Sequence, residues 1–143
     1  MHLLGGCHCA NIRFELSGFA PDATIPARAC TCSFCQKHGG VWTSHPQGSL
    51  RVLIAERAEH SIYRFGTGTA DFHVCRRCGA VPVVTSEIDG RLYGVVSARA
   101  LDGVAPERLQ HAQVSFDGEA AGDRLARRAR GWIPEVELRV LPS

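Results

Sequence analysis

The chain has 143 residues, of which 45% are apolar and 21% are charged, and its formal net charge is +2. These values are ordinary for a globular protein, so we expect residues 1–143 to form a single domain, and the small charge argues against a nucleic-acid partner. No apolar run approaches the ~20 residues that a membrane helix needs and no secretory signal is evident, so we expect a cytoplasmic protein with reduced thiols.

Segments that alternate apolar and polar residues, or are rich in β-branched residues, predict several short strands. They are residues 11–17, 60–65, 80–86, 91–97 and 135–141. In the first segment, Ile12, Phe14 and Leu16 share one face. Asp89-Gly90, between the third and fourth segments, predicts a tight hairpin turn. Pro82 predicts that its strand is an edge strand or carries a bulge.

Helix signals are few. Ser33 is a candidate N-cap for a short helix that ends at Gly39, and Asp123 is a candidate N-cap for a second helix that ends at Gly131. We interpret the arginines of the second segment as a solvated helix face, with an anion site as the alternative. They are Arg124, Arg127, Arg128 and Arg130. The sequence therefore predicts a mainly β fold with few short helices.

All seven cysteines lie close to another cysteine in the sequence. Cys75 and Cys78 have the two-residue separation of a zinc-binding turn, and Gly79 permits the left-handed backbone that such turns need. Cys7 and Cys9 point the same way if the chain between them is extended. These four residues, the four-cysteine cluster, predict a closed tetrahedral zinc site that contributes folding energy rather than chemistry.

The other three cysteines, Cys30, Cys32 and Cys35, form the three-cysteine cluster. Three protein ligands and one open position are typical of catalytic zinc, and the open position can bind water or a substrate thiolate. We therefore predict a second zinc ion here, in an open site, and a catalytic role for the cluster. The site would activate a small thiol, or polarise a carbonyl group that a thiol attacks.

Two other interpretations of the three-cysteine cluster stay open. With His38 or another side chain as a fourth ligand, the cluster would be a second structural zinc site. Without metal, Cys32 and Cys35 have the spacing of a redox pair, although no βαβ pattern surrounds them. Trp42 and Phe34 lie near the cluster in sequence, and they are either core residues or an apolar wall of the site.

The cysteine motifs carry a family resemblance. The stretches "GGCHCANIRFE", "CTCSFCQKHGG" and "FHVCRRCGA" resemble the glutathione-dependent formaldehyde-activating enzyme family, to which the centromere protein V domain belongs. The similarity runs from about Gly5 to Ala80 and continues more weakly through "ALDGVAPERLQHAQV". The combined set of three cysteine motifs is far more specific than any one pair.

The resemblance implies an Mss4-like fold of stacked antiparallel sheets, a structural zinc on the four-cysteine cluster and a labile zinc on the three-cysteine cluster. It implies that glutathione and formaldehyde combine at the second site to give S-(hydroxymethyl)glutathione. We therefore predict a zinc-dependent carbon–sulfur lyase, or the reverse addition, whose partners are a small thiol such as glutathione and an aldehyde. The alternatives are a non-enzymatic zinc-stabilised binding module and a thiol redox sensor. Neither nucleic acid nor membrane is an expected partner, and the sequence does not fix the oligomeric state.

Overall fold

Short strands joined by turns make up most of the chain. The computed structural model describes residues 2–142, which contain eleven strands and two α-helices. The strands are β1 (His2–Gly6), β2 (Ile12–Ser17), β3 (Ile25–Cys30), β4 (Val41–Thr43), β5 (Ser49–Ile54), β6 (His60–Tyr63), β7 (Asp71–Cys75), β8 (Val83–Ile88), β9 (Arg91–Ser97), β10 (Leu109–Val114) and β11 (Glu135–Val140). The helices are α1 (Ser33–His38) and α2 (Ala121–Gly131).

Two sheets carry these strands. The smaller has the order β1-β2-β5-β11, and the larger has the order β10-β3-β4-β9-β8-β7-β6. Neighbouring strands are antiparallel except for β10 with β3 and β11 with β5, which are parallel. The predicted mainly β fold of two sheets with few short helices is confirmed. The two parallel pairs form because β10 and β11 return from distant parts of the chain, which allows the long connections that parallel pairing needs.

The largest apolar core joins the two sheets. Ile12, Phe14 and Leu16 of β2 are all buried, as the alternation in the sequence predicts. Val83 and Val96, from β8 and β9 of the larger sheet, belong to the same buried cluster. Removal of this apolar surface from water is the main force that holds the sheets together.

The hairpin between β8 and β9 forms where the sequence predicts it. Asp89 and Gly90 both have positive φ angles, of 51° and 77°, as a type I′ turn requires. The edge position predicted from Pro82 is wrong, because β8 lies between β7 and β9. Pro82 directly precedes β8, so its missing N–H lies outside the strand, and its carbonyl accepts a hydrogen bond from the Ser97 N–H at 2.8 Å.

Helix α1 ends at Gly39 as predicted, where φ is 79°. Its N-cap, however, is Cys32 rather than Ser33. The Cys32 Sγ accepts a hydrogen bond from the Cys35 N–H at 3.3 Å, and Ser33 is the first helical residue. A cysteine that belongs to a predicted metal cluster thus also satisfies a free N–H group at the start of the helix.

Helix α2 ends at Gly131 as predicted but begins at Ala121, earlier than the sequence suggests. Asp123 lies inside its first turn instead of capping it, and no side chain caps this helix. The negative charge of Asp123 is still favourable there because it faces the positive end of the helix dipole. In the part of the chain that the structure describes, no helix is long and apolar enough to cross a membrane.

Candidate metal centres and the adjoining pocket

The fold brings the four-cysteine cluster together. Cys7 and Cys9 follow β1, whereas Cys75 ends β7 and Cys78 lies in the turn after it. One ligand atom from each of the four residues lies within 4.8 Å of the others. The Cys7 and Cys9 sulfurs are 3.8 Å apart, and the Cys9 and Cys75 sulfurs are 3.4 Å apart. Sulfurs around a tetrahedral zinc with Zn–S bonds of about 2.3 Å lie about 3.8 Å apart, so this donor set fits zinc.

Tight turns aim these sulfurs at one point. Backbone N–H groups of Ile12 and Cys78 donate to the sulfurs of Cys7 and Cys75, at 3.3 and 3.4 Å. Gly79 has a φ of 81°, and its N–H donates to the Cys75 carbonyl at 2.8 Å. Short cysteine spacings therefore fix the geometry locally, and the sheets only have to bring two prefolded turns together.

The thiols of the four-cysteine cluster differ in acidity. Burial raises the pKa of Cys7 to about 12. Burial also acts to raise the pKa of Cys78, but hydrogen bonds from the backbone N–H groups of Ala80 and Cys9 and from neighbouring thiols lower it to about 6. Four thiolates held this close together need a cation to balance their charge, as a structural zinc would do.

The three-cysteine cluster is built at the junction of β3 and α1. Cys30 ends β3, Cys32 caps α1, and Cys35 lies inside α1. Their sulfurs lie within 4.8 Å of one another; Cys35 is buried, and the other two are half-buried. A hydrogen bond from the Cys35 thiol lowers the pKa of Cys30 despite burial, and the same interaction raises the pKa of Cys35. Cys30 is therefore the preferred thiolate of this cluster.

The three-cysteine cluster has no fourth His, Cys, Asp or Glu ligand among the described residues. Across residues 2–142, no histidine, aspartate or glutamate joins the three sulfurs within 4.8 Å. The predicted alternative with His38 as ligand is not supported, because the His38 ring packs on Phe34 at 4.2 Å and near Trp42 at 5.9 Å. The arrangement offers a metal three sulfur donors and leaves one coordination position for another molecule.

Trp42 and Gly40 support the cluster from one side. The Trp42 Nε1–H donates to the Cys35 Sγ at 3.4 Å. Gly40 packs against this pair so closely that a Cβ atom there would lie 2.9 Å from Trp42 Nε1 and 3.0 Å from Cys35 Sγ. The sequence gave no sign of this close packing at Gly40.

A pocket of about 630 Å³ opens beside the three-cysteine cluster. All three cysteines of the cluster line it, together with aromatic and aliphatic side chains. The apolar lining residues are Trp42, Phe65, Ala70, Phe72, Val84, Val95, Val114, Phe116 and Trp132. Pockets of this size and character bind small organic molecules.

Both interpretations of Trp42 hold, because it is buried in the core and also lines the pocket. Phe34 is not among the lining residues. It packs behind them, with its ring 5.3 Å from that of Phe65 and 5.1 Å from that of Phe72. Phe34 therefore supports the apolar wall from behind.

The arginines of α2 do not form the solvated face that the sequence suggested. Arg128 is only 6% exposed, and Arg124 and Arg127 are half-buried; all three line the pocket. Only Arg130 is exposed. The prediction failed because the acceptors that allow a guanidinium to be buried come from distant segments. The Arg128 Nη1, for example, donates to Thr69 and Ser86, which no local sequence pattern reveals.

Comparison with known proteins identifies the family. The model of the family described as glutathione-dependent formaldehyde-activating enzyme matches residues 2–115, which include all seven cysteines. Among solved structures, a match is the crystal structure of a Rhodobacter sphaeroides protein determined as a structural-genomics target. It is 29% identical, covers 73% of this chain and 92% of its own, and superimposes with a TM-score of 0.54. The chain therefore belongs to the glutathione-dependent formaldehyde-activating enzyme family.

Proposed function

We propose that this protein is a zinc-dependent carbon–sulfur lyase that acts on a thiol–aldehyde adduct such as S-(hydroxymethyl)glutathione, or that catalyses the reverse addition. One observation carries the proposal. Three clustered cysteines, without a fourth protein ligand in residues 2–142, line a pocket large enough for a peptide-sized thiol. Membership of the family supports a reaction that involves glutathione and formaldehyde.

The reaction needs a stabilised sulfur leaving group. When the adduct cleaves, the carbon–sulfur bond breaks, its electron pair stays on sulfur, and the hydroxyl group loses its proton as the carbonyl forms. A zinc ion held by Cys30, Cys32 and Cys35 would supply the positive charge that stabilises a substrate sulfur as a thiolate.

The chain's own residues shape the space around the sulfur. The indole N–H of Trp42 holds Cys35 in place through its hydrogen bond. The rings of Phe65, Phe72 and Trp132 line the pocket and exclude water from the adduct. In such an apolar environment, charge interactions at the sulfur are stronger than in water.

The four-cysteine cluster has a separate role in this proposal. It would hold a structural zinc that joins the start of the chain to β7, within a single domain of residues 1–143. The two cysteine clusters are separate groups of ligands. The pocket beside the three-cysteine cluster is not lined by the four-cysteine cluster. Unbridged cysteines are compatible with a reducing compartment, and we propose the cytoplasm.

The lyase proposal is tested by NMR exchange spectroscopy of glutathione and formaldehyde at equilibrium. The zinc-loaded protein should raise the rate of interconversion above the uncatalysed background, which is measured in the same buffer. Cys32→Ser should return the rate to background, and Arg130→Gln, an exposed change on α2, should leave it unchanged. A wild-type rate equal to background, with several small thiols tried, would contradict the proposal and favour a binding module.

A further inference from the structure

The pocket beside the three-cysteine cluster is rich in cationic side chains. Of the described residues, four arginines line it, and the exposed Asp117 is the only acidic one that does. The arginines are Arg28, Arg124, Arg127 and Arg128. Because the rest of the lining is largely apolar, these charges act in surroundings where they are poorly screened.

Two of the arginines share one carboxylate, that of Glu119. The Nε and Nη2 of Arg127 donate to Glu119, with distances of 3.1 to 3.2 Å, and the Arg127 guanidinium lies 3.5 Å from the centre of the Phe116 ring. The Nε of Arg124 lies 3.8 Å from Glu119 Oε1. Glu119 therefore fixes Arg127, and its single negative charge only partly offsets the charges of Arg124 and Arg127.

The other two arginines have only neutral acceptors. Arg28 Nη2 donates to Ser44 Oγ at 2.7 Å. Arg128 Nη1 donates to Thr69 Oγ1 at 2.9 Å and to Ser86 Oγ at 3.2 Å. Among the described residues, no carboxylate forms an ion pair with Arg28 or Arg128.

Such charges are costly to bury without a counter-ion. Arg128 is 6% exposed, and its Nε is buried with no hydrogen-bond acceptor in residues 2–142. Burial and the neighbouring arginines lower the pKa of Arg128 to about 10. The Arg128 guanidinium thus keeps a buried donor that a group from outside the chain can satisfy.

Arg28 lies close to the three-cysteine cluster, in the same strand and the same pocket as Cys30. Arg28 and Cys30 are two residues apart on β3, so both side chains leave the same face of the strand, and both line the pocket. Their Cα atoms are separated by roughly 7 Å along the strand. A ligand whose sulfur reaches Cys30 can therefore place a second group, several bonds away, beside Arg28.

We propose that Arg28 and Arg128 bind a carboxylate of the substrate and so select thiols that carry an anionic end. The proposal rests on the proposed function, because it places the substrate sulfur at the three-cysteine cluster. A carboxylate matches the planar donor edge of a guanidinium. Arg128 lies in α2, beyond residues 2–115 of the family match, so this chain supplies part of the site from its own later segment.

The test uses S-methylglutathione, which keeps both carboxylates of glutathione but has no thiol to ionise. Its affinity for the zinc-loaded protein is measured by isothermal titration calorimetry. Arg28→Gln and Arg128→Gln should each weaken binding at least ten-fold, and Arg130→Gln on the same helix should not change it. The dimethyl ester of S-methylglutathione should bind all four proteins with the same, weaker affinity.

Near wild-type affinity in the folded Arg28→Gln and Arg128→Gln variants would overturn the proposal, and so would failure of the wild type to bind S-methylglutathione at millimolar concentration. If Arg128→Gln does not fold, the half-buried Arg28 position decides the question alone. Binding of this thioether involves no reaction. Arginine-dependent binding without lyase activity would therefore reject the proposed function alone, and lyase activity with unchanged binding would reject the carboxylate site alone.

Discussion

Replacement of Cys9 by serine removes one sulfur from the four-cysteine cluster and should release the metal that we propose there. Cys9 and Cys75 are 66 residues apart in the chain, and their sulfurs are 3.4 Å apart. Treated as a cross-link that closes a loop of this length, the cluster restricts the unfolded chain by about 4 kcal/mol at 25 °C. Since domains are typically stable by only about 5–15 kcal/mol, the loss should be large.

The assay is urea unfolding of wild type, Cys9→Ser and Cys32→Ser at equal protein and zinc concentrations, with free energies from linear extrapolation. Cys32→Ser is the matched control, because serine keeps an acceptor at the N-cap of α1. We expect a loss of about 4 kcal/mol for Cys9→Ser but of only about 2 kcal/mol for Cys32→Ser, because the three-cysteine cluster closes a much shorter loop. Equal losses of unfolding free energy in the two variants, or a Cys9→Ser protein as stable as wild type, would contradict a structural role that belongs mainly to the four-cysteine cluster.

Three further predictions concern the pocket and its metal. Gly40→Ala should weaken Co²⁺ binding at the three-cysteine cluster, seen as a weaker sulfur-to-cobalt absorption band, because the new methyl group would displace Trp42 or Cys35; an unchanged band would contradict this. Glu119→Gln should raise the affinity for S-methylglutathione several-fold in calorimetry, because it removes the carboxylate that neutralises Arg127; equal or lower affinity would count against an anion site. A chelator such as dipicolinate should remove zinc from the three-cysteine cluster before the four-cysteine cluster, and simultaneous loss would contradict the open and closed assignments.

The cysteine clusters could be predicted because the short motifs that compose them have local geometry, although the two motifs of the four-cysteine cluster are distant in sequence. Cys75 and Cys78 need only a short turn to direct both sulfurs to one point, and such a turn is visible in the spacing of the residues. The same holds for the β8–β9 hairpin, where Asp89-Gly90 is sufficient to specify the turn. These features depend on few residues that are adjacent in sequence.

The burial of the arginines that line the pocket could not be predicted, because the residues that accept their hydrogen bonds are distant in sequence. Arg128 is buried through hydrogen bonds to Thr69 and Ser86, which are 59 and 42 residues away. When those acceptors are not known, four arginines in a short helix predict a solvent-exposed face, which is the ordinary arrangement for charged side chains. The edge position predicted from Pro82 was wrong for a similar reason. The strands that pair with β8 come from other parts of the chain, and their pairing makes β8 an interior strand.

The central claim is that one metal site is closed and the other is open to ligands. Its most direct test is the zinc content per chain of wild type and Cys32→Ser, purified without chelator and measured by inductively coupled plasma mass spectrometry. We expect two zinc ions in the wild type and one in the variant. Addition of glutathione to the wild type should remove or exchange the ion at the three-cysteine cluster. Two ions that persist in both proteins and resist glutathione, or a single ion in every sample, would contradict it.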